Sequence, residues 1–292
     1  GSEMCIRDRY TVYNPDGTVD PFLSCRGILM TKESAGNTEI LFANPNPGDY
    51  GAIDRWSIPR SVPGAGSYGV TQSLVDAFFM ENGLSPILGY ENNDYSKPII
   101  NPASGYTETG FSTEPEVRNT GWQECQGNVN PGQVTMAGAY NMYCHREARF
   151  YIAVLYNRAW FSKTAEGGRQ TMFLKGEQDG GISMDAPRNG YLQNKLAHPD
   201  RDNVNVTFPY RPAVNYRLAE AYLNYAEALN ECDPGNPDIM KYVNLIRVRA
   251  GIPEYGTGAG MITEPQGQEE VRQSIYKERR VELCCESSIR YM

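Results

Sequence analysis

Two histidines, seven cysteines and 35 carboxylates are the side chains of this 292-residue chain able to move protons, attack carbonyls or hold metals. His145 lies in Cys144-His145-Arg146-Glu147. Neighbouring strand positions point to opposite faces, so that pair does not form a nucleophile and its base. His198 is isolated in sequence. Cysteines 5, 25, 125, 144, 232, 284 and 285 contain no C-x-x-C pair. Their odd number and scattered spacing fit neither a disulfide framework nor a zinc site, and they read as buried or incidental thiols. H-E-x-x-H, G-x-S-x-G and P-loop signatures are absent from the sequence. The motifs therefore predict no catalytic residue, no metal ligand and no cofactor. A glycosidase carboxylate pair meets only in space, so spacing singles out none, and a glycoside hydrolase stays as the less favoured alternative.

One motif match is discounted. Gly64-Ala65-Gly66-Ser67-Tyr68-Gly69 fits G-x-G-x-x-G and precedes a helix. A dinucleotide fold needs a buried strand before it, and Pro59, Arg60, Ser61 and Pro63 cannot supply one. The match reads as a flexible glycine turn.

The residues suited to binding are more numerous. Twenty tyrosines can offer a partner both an apolar face and a hydroxyl, while 29 glycines and 19 prolines imply long ordered loops. A net charge of −8 works against phosphate backbones, so no nucleic-acid partner is expected. No apolar run reaches the roughly 18 residues that would suggest a membrane-spanning helix.

The elements that position these groups read as mainly α with a few short strands. Turn-rich sequence over 10–54 holds one apolar run, Glu39 to Ala43, ended by Asn44-Pro45. A helix is predicted from Thr71 to about Asn82, with Leu74, Val75, Phe78 and Phe79 as its stripe and Gly83 as its stop. Residues 84–140 form a loop-rich insertion, Arg149 to Leu155 a strand candidate, and loops return to about Pro209. The helical part spans about 210–286. Asn215 to Asn230 places Leu218, Ala221, Tyr222, Tyr225 and Leu229 on one face. Asn236 and Pro237 open the next helix, Ile239, Val243, Ile246 and Ala250 continue the stripe, and Gly251 and Pro253 end it. Two helices joined by so short a turn lie antiparallel, as in one tetratricopeptide-like pair, though no second copy recurs at a fixed period. A third helix, about Gln268 to Glu286, carries Lys277, Glu278, Arg279, Arg280 and Glu282. Its alternating signs read as a solvated face with i,i+4 pairs; the alternative is an ion network packed under the fold. Residues 1–9 (GSEMCIRDR) show no period and read as a non-native leader, leaving one domain over 10–292.

Five segments in order carry a family resemblance. Tyr216-Arg217-Leu218-Ala219-Glu220-Ala221-Tyr222-Leu223-Asn224-Tyr225-Ala226-Glu227-Ala228 resembles the signature helix of the SusD/RagB family. Asn244 to Pro253 (NLIRVRAGIP) and Lys277 to Leu283 (KERRVEL) resemble its next two helices. Thr71 to Phe78 and Arg146 to Tyr151 are similar to two upstream segments. The resemblance implies tetratricopeptide-like helix pairs with a loop-rich ligand side. It further implies non-catalytic glycan binding at the outer-membrane surface, for delivery to a SusC-like TonB-dependent transporter. The family's N-terminal part and its lipidated cysteine are not matched, so any membrane attachment is through an anchor that this stretch lacks. Cys5 and Cys25 follow no signal sequence. A helical scaffold for peptide or protein is the alternative that the same fold allows.

Sugars present flat C–H faces rimmed by hydroxyls, which calls for exposed aromatic platforms with polar edges. Trp122, flanked by Gly121, Gln123 and Glu124, leads the expected glycan-binding set. Tyr95 and Tyr106 share its insertion, and Trp56 stands in an earlier loop beside Arg55. The alternative for all four rings is that they plug the loops from within.

Overall fold

The computed structural model describes residues 8–44, 50–123, 132–161, 169–181, 184–202 and 205–286. Most of the predicted leader and the last six residues lie outside them; Asp8 and Arg9 are described, and Thr38 Oγ1 donates to the Asp8 carbonyl at 2.9 Å. Regular structure is mainly helical. Seven α-helices are described: α1 (Pro21–Met30), α2 (Tyr50–Trp56), α3 (Gln72–Ala77), α4 (Ala148–Ala153), α5 (Leu218–Cys232), α6 (Pro237–Ala250) and α7 (Gly267–Glu282). Ten short strands accompany them: β1 (Val12–Tyr13), β2 (Val19–Asp20), β3 (Ile40–Asn44), β4 (Ile87–Tyr90), β5 (Pro98–Ile100), β6 (Val154–Leu155), β7 (Trp160–Phe161), β8 (Arg169–Gln170), β9 (Leu192–Gln193) and β10 (Ala213–Arg217). They pair only as antiparallel couples, β1–β2, β3–β10, β4–β5, β6–β9 and β7–β8. The chain forms two compact units, one from Gly1–Pro47 with Arg211–Met292 and one from Gly48–Tyr210.

In the first unit the helix pair is built by local signals. The Asn236 side chain accepts from Asp238 N–H at 3.0 Å, Pro237 opens α6, and Gly251 takes φ +72° to close it. Only glycine fits at 251, because a Cβ would lie 2.7 Å from the Pro21 ring. Ile239, Met240, Val243 and Ile246 of α6 pack with Ala219, Leu223 and Ala226 of α5 and Val271 and Ile275 of α7.

Two expectations about α5 are corrected. Residues 215–217 belong to β10, paired with β3, so the helix begins at Leu218. Its buried stripe is Ala219, Leu223, Ala226 and Asn230, while Tyr225 of the expected stripe is 47 % exposed. Both α6 and α7 press on α5, and the alanines allow their close approach. The larger rings are left at the margin, where Tyr222 and Tyr242 meet at 5.0 Å between centroids.

The charged helix is also corrected. Glu278 and Glu282 of α7 are buried, as are Arg217, Arg247 and Arg249. Arg217 Nη1 meets Glu39 Oε1 at 2.7 Å and Glu282 Oε1 at 2.6 Å, and its Nε and Nη2 grip Glu286 at 2.8 and 2.7 Å. Arg249 closes the ring to Glu39 (2.5 Å) and Glu282. Burial works against the Arg217 charge, but Glu286, Glu282 and Glu39 outweigh it and hold the guanidinium well above its ordinary pKa. A network of this kind gives each charge it buries an opposite partner, which a solvated face would not need.

In the second unit Thr71 caps α3 as expected, accepting from Leu74 N–H at 3.2 Å. The helix stops at Ala77 rather than near Asn82. Arg146 Nη2 takes the Val75 and Phe78 carbonyls at 2.5 and 2.8 Å, and the turn to extended backbone buries Phe78 and Phe79. The predicted strand at Arg149 to Leu155 is instead the helix α4, followed by the two-residue β6. Every α4 residue is buried, and an apolar run buried all round has no period to distinguish helix from strand.

Candidate functional site

Trp56 is the last residue of α2, not a loop residue, and its surroundings explain why it is held still. The carbonyls that end a helix need donors. Here the glycine turn returns to supply them: Ala65 N–H donates to Arg55 O at 2.8 Å, and Ser67 and Tyr68 N–H donate to Trp56 O at 2.9 and 3.0 Å. Gly64 passes so close to Ile58 that a Cβ would sit 2.2 Å from its carbonyl oxygen, and Gly66 takes φ +52° against Asp185. The G-x-G-x-x-G match is thus a helix C-terminal cap, tighter than the flexible turn expected. Tyr68 then lays its ring edge-on to Trp56, centroids 5.0 Å apart at 80°.

The base of α2 is anchored too. Buried Asp54 accepts from His198 N–H at 3.0 Å, and Gln193 Nε2 donates to buried Ser57 at 2.5 Å. Gln193 N–H also donates to Tyr68 O at 2.7 Å, tying the turn to β9 and through it to β6. On this support Trp56 remains 40 % exposed. It lines a cleft of about 540 Å³ with Gly51, Ala52, Arg55, Pro63, Val206 and Phe208. The far wall comes from the return at Asp202 and Thr207, bonded backbone to backbone at 2.8 and 2.7 Å. Val206 there holds φ +55°, a costly conformation for a β-branched residue. Among the described lining residues the cleft offers one flat indole, a second ring in Phe208 and a single charge, Arg55.

The other expected rings do not gather at this cleft. Tyr95 is 69 % exposed in the β4–β5 loop, its ring 4.8 Å from that of Tyr90, itself anchored through its hydroxyl to Asp76. Trp122 and Tyr106 are corrected. Trp122 is 5 % exposed and Tyr106 6 %, so neither presents a face. Arg118 N–H donates to Gly132 O at 2.8 Å, and Gly132 N–H donates to Trp122 O at 3.4 Å. Burial raises the Tyr106 phenol, whose ring carries Arg146 at 5.6 Å. Polar flanks reported the local sequence, not the ring's depth. Phe208, Tyr68 and Val206 were missed because nothing local marks them as neighbours of Trp56.

A second polar cluster joins groups the sequence kept apart. His145 Nδ1 lies 3.0 Å from Glu81 Oε1, and donor atoms of Glu81, Glu116 and His145 fall within 4.8 Å of one another. Arg118 already occupies the space between the two carboxylates, with Nη2 2.7 Å from Glu81 and in contact with Glu116. Glu116 also accepts from His145 N–H at 2.9 Å and the Tyr151 hydroxyl at 3.1 Å. These contacts make a clamp across the insertion. Cys144 Sγ lies 3.8 Å from the Tyr140 carbonyl, and burial pushes its thiol up, away from the reactive thiolate.

Comparison with known proteins is consistent with the helical order. A solved SusD-like protein from Bacteroides fragilis is 25% identical, with a TM-score of 0.60 over 93% of this chain and 45% of its own. A second from that organism, described as a SusD-like carbohydrate binding protein, is 16% identical with a TM-score of 0.58, over 95% of this chain and 44% of its own. The SusD-like protein P2 of Formosa agariphila is 40% identical over 70 residues, 24% of this chain and 14% of that protein. The chain thus spans less than half the length of these relatives. The SusD family model matches residues 34–291, and the chain belongs to that family.

Proposed function

We propose that this chain binds a segment of oligosaccharide or polysaccharide without turning it over, using the Trp56 cleft as a stacking platform. The observation that carries the reading is a rigidly capped, part-exposed indole in an aromatic cleft. Stacking over about 50 Å² of sugar face at about 25 cal/mol per Å² contributes on the order of 1 kcal/mol. With rim hydrogen bonds, less the ordering cost, affinity falls at about millimolar to high micromolar. Tyr95 is a second exposed ring suited to a longer glycan, while Trp122 and Tyr106 support the loops from beneath.

Family membership extends the reading to the whole protein: a surface lipoprotein of the outer membrane that hands glycan to a SusC-like TonB-dependent transporter. No helix among the described residues is long and apolar enough to cross a membrane. An oligosaccharide array read together with a reducing-sugar assay tests the proposal. Binding without new reducing ends is the expected result. Release of reducing ends above blank contradicts it, as does binding to peptides with no response to any glycan.

A further inference from the structure

The side chains lining the Trp56 cleft are chemically one-sided. Alanine, proline, valine and phenylalanine offer no polar atom, and Arg55 is the only charged group among the described lining residues. Arginine carries five N–H donors and no acceptor. Neutral sugars present hydroxyls that donate as well as accept, and no described side chain lining the cleft is a carboxylate or amide acceptor. Side chains that only donate complement a ligand group that only accepts.

Arg55 is also uncommitted. In the same unit Arg118, Arg149, Arg158 and Arg169 each hold a carboxylate, while exposed Arg60 and Arg188 share the freedom of Arg55 among the described residues but do not line the cleft. Arg55 is exposed and makes no side-chain hydrogen bond or ion pair among the described residues. Only its backbone is engaged, its carbonyl taking the Ala65 amide that fixes Trp56 beside it. On a chain of net charge −8, an unpaired guanidinium next to a held indole is a local departure from the acidic background.

The geometry points to an anionic sugar as the residue stacked on Trp56, with Arg55 reading its charge. This inference rests on the glycan-binding reading above. The shared chemistry is a planar or tetrahedral anionic oxygen group, matched by the guanidinium fork. It has two sources, the carboxylate of a uronic acid or a sulfate ester.

The test titrates the 292-residue chain with three oligosaccharides of equal length: an oligogalacturonate, a neutral galactan oligomer and a sulfated galactan oligomer. At least one anionic oligomer binds about tenfold tighter than the neutral one, and the advantage shrinks as salt rises. Arg55→Gln abolishes that advantage, bringing the anionic oligomers to the affinity of the neutral one, with the melting temperature unchanged. Whichever anionic arm keeps the preference identifies carboxylate or sulfate. Equal or tighter binding of the neutral oligomer overturns the inference and leaves the glycan-binding reading standing. An anionic preference that survives Arg55→Gln overturns the role of Arg55. Failure of all three oligomers to bind overturns the inference, and the glycan-binding reading then stands or falls on the oligosaccharide array.

Discussion

Arg217 and Glu39, 178 residues apart in sequence, meet at 2.7 Å with both side chains fully buried. Glu39 precedes β3 and Arg217 ends β10, so the ion pair stands at one end of the strand pairing that brings the two segments together. Leu218 N–H donates to the Glu39 carbonyl at 2.9 Å, which makes the same residue the start of α5's hydrogen bonding.

Removing one member of such a network leaves charges buried without partners, which typically costs about 3–5 kcal/mol. Glu39→Ala takes a carboxylate from both Arg217 and Arg249, leaving them to share Glu282 and Glu286, and is expected to fall at the lower end of that range by denaturant unfolding. Arg272→Ala removes an exposed pair with Glu231 and should change stability by less than about 1 kcal/mol. Equal effects from the two variants would mean that the buried network is not what joins the segments.

Asp179 is the carboxylate most specifically held in the second unit. Arg169 grips it through two nitrogens at 2.7 and 2.9 Å, Ser61 donates at 2.5 Å and Met172 N–H at 2.8 Å. Burial alone would raise its pKa, but these bonds outweigh it and hold the carboxyl below its ordinary 3.8. A depressed folded pKa contributes stability that is present above the unfolded value and lost as pH falls through the folded one. The melting temperature should therefore drop as pH is lowered below about 4. Asp179→Asn should be less stable at neutral pH and lose less on acidification; an acid profile identical to the parent's would contradict this assignment. At the other extreme, burial raises the Tyr151, Tyr156 and Tyr191 phenols. Their contribution is complete below the ordinary value of 10.0 and is lost above it, so tyrosinate absorbance should appear together with unfolding rather than before it.

Gly64 tests whether the turn positions the platform. A Cβ would lie 2.2 Å from a backbone oxygen that cannot move aside, so Gly64→Ala must displace the cap on Trp56. The expected outcome is a loss of about 1–3 kcal/mol of stability with a shifted tryptophan emission. Unchanged emission and unchanged stability would show that the turn does not hold the indole.

Local signals were legible from sequence, and long-range ones were not. The Asn236 cap, the first-turn Pro237 and the Gly251 stop act over a few residues, and α6 stands where they place it. The limits of α3 and α5 depend on Arg146 and β3, partners remote in sequence. Arg149 to Leu155 could not reveal its helix because it is buried on all sides. For the charged helix a buried ion network was the less favoured alternative, because nothing local names Arg217 and Arg249 as its partners. For the site, Trp56 was visible as a ring beside Arg55, but its wall of Val206 and Phe208 arrives from about 150 residues further along the chain. Trp122 failed as a platform because polar neighbours in sequence do not determine depth.

The central claim is that an exposed Trp56 binds sugar and that nothing is cleaved. Trp56 is the most open described indole, against a buried Trp122 and a partly buried Trp160. Its emission should therefore report ligand directly. The decisive measurement is a fluorescence and calorimetric titration of the parent and Trp56→Ala chains with the oligosaccharide that an array selects, with melting temperatures recorded alongside. The account predicts saturable binding by the parent with no release of reducing ends, and about tenfold weaker binding by Trp56→Ala at a nearly unchanged melting temperature. Undiminished binding by Trp56→Ala, or a loss that only tracks its stability, would contradict it.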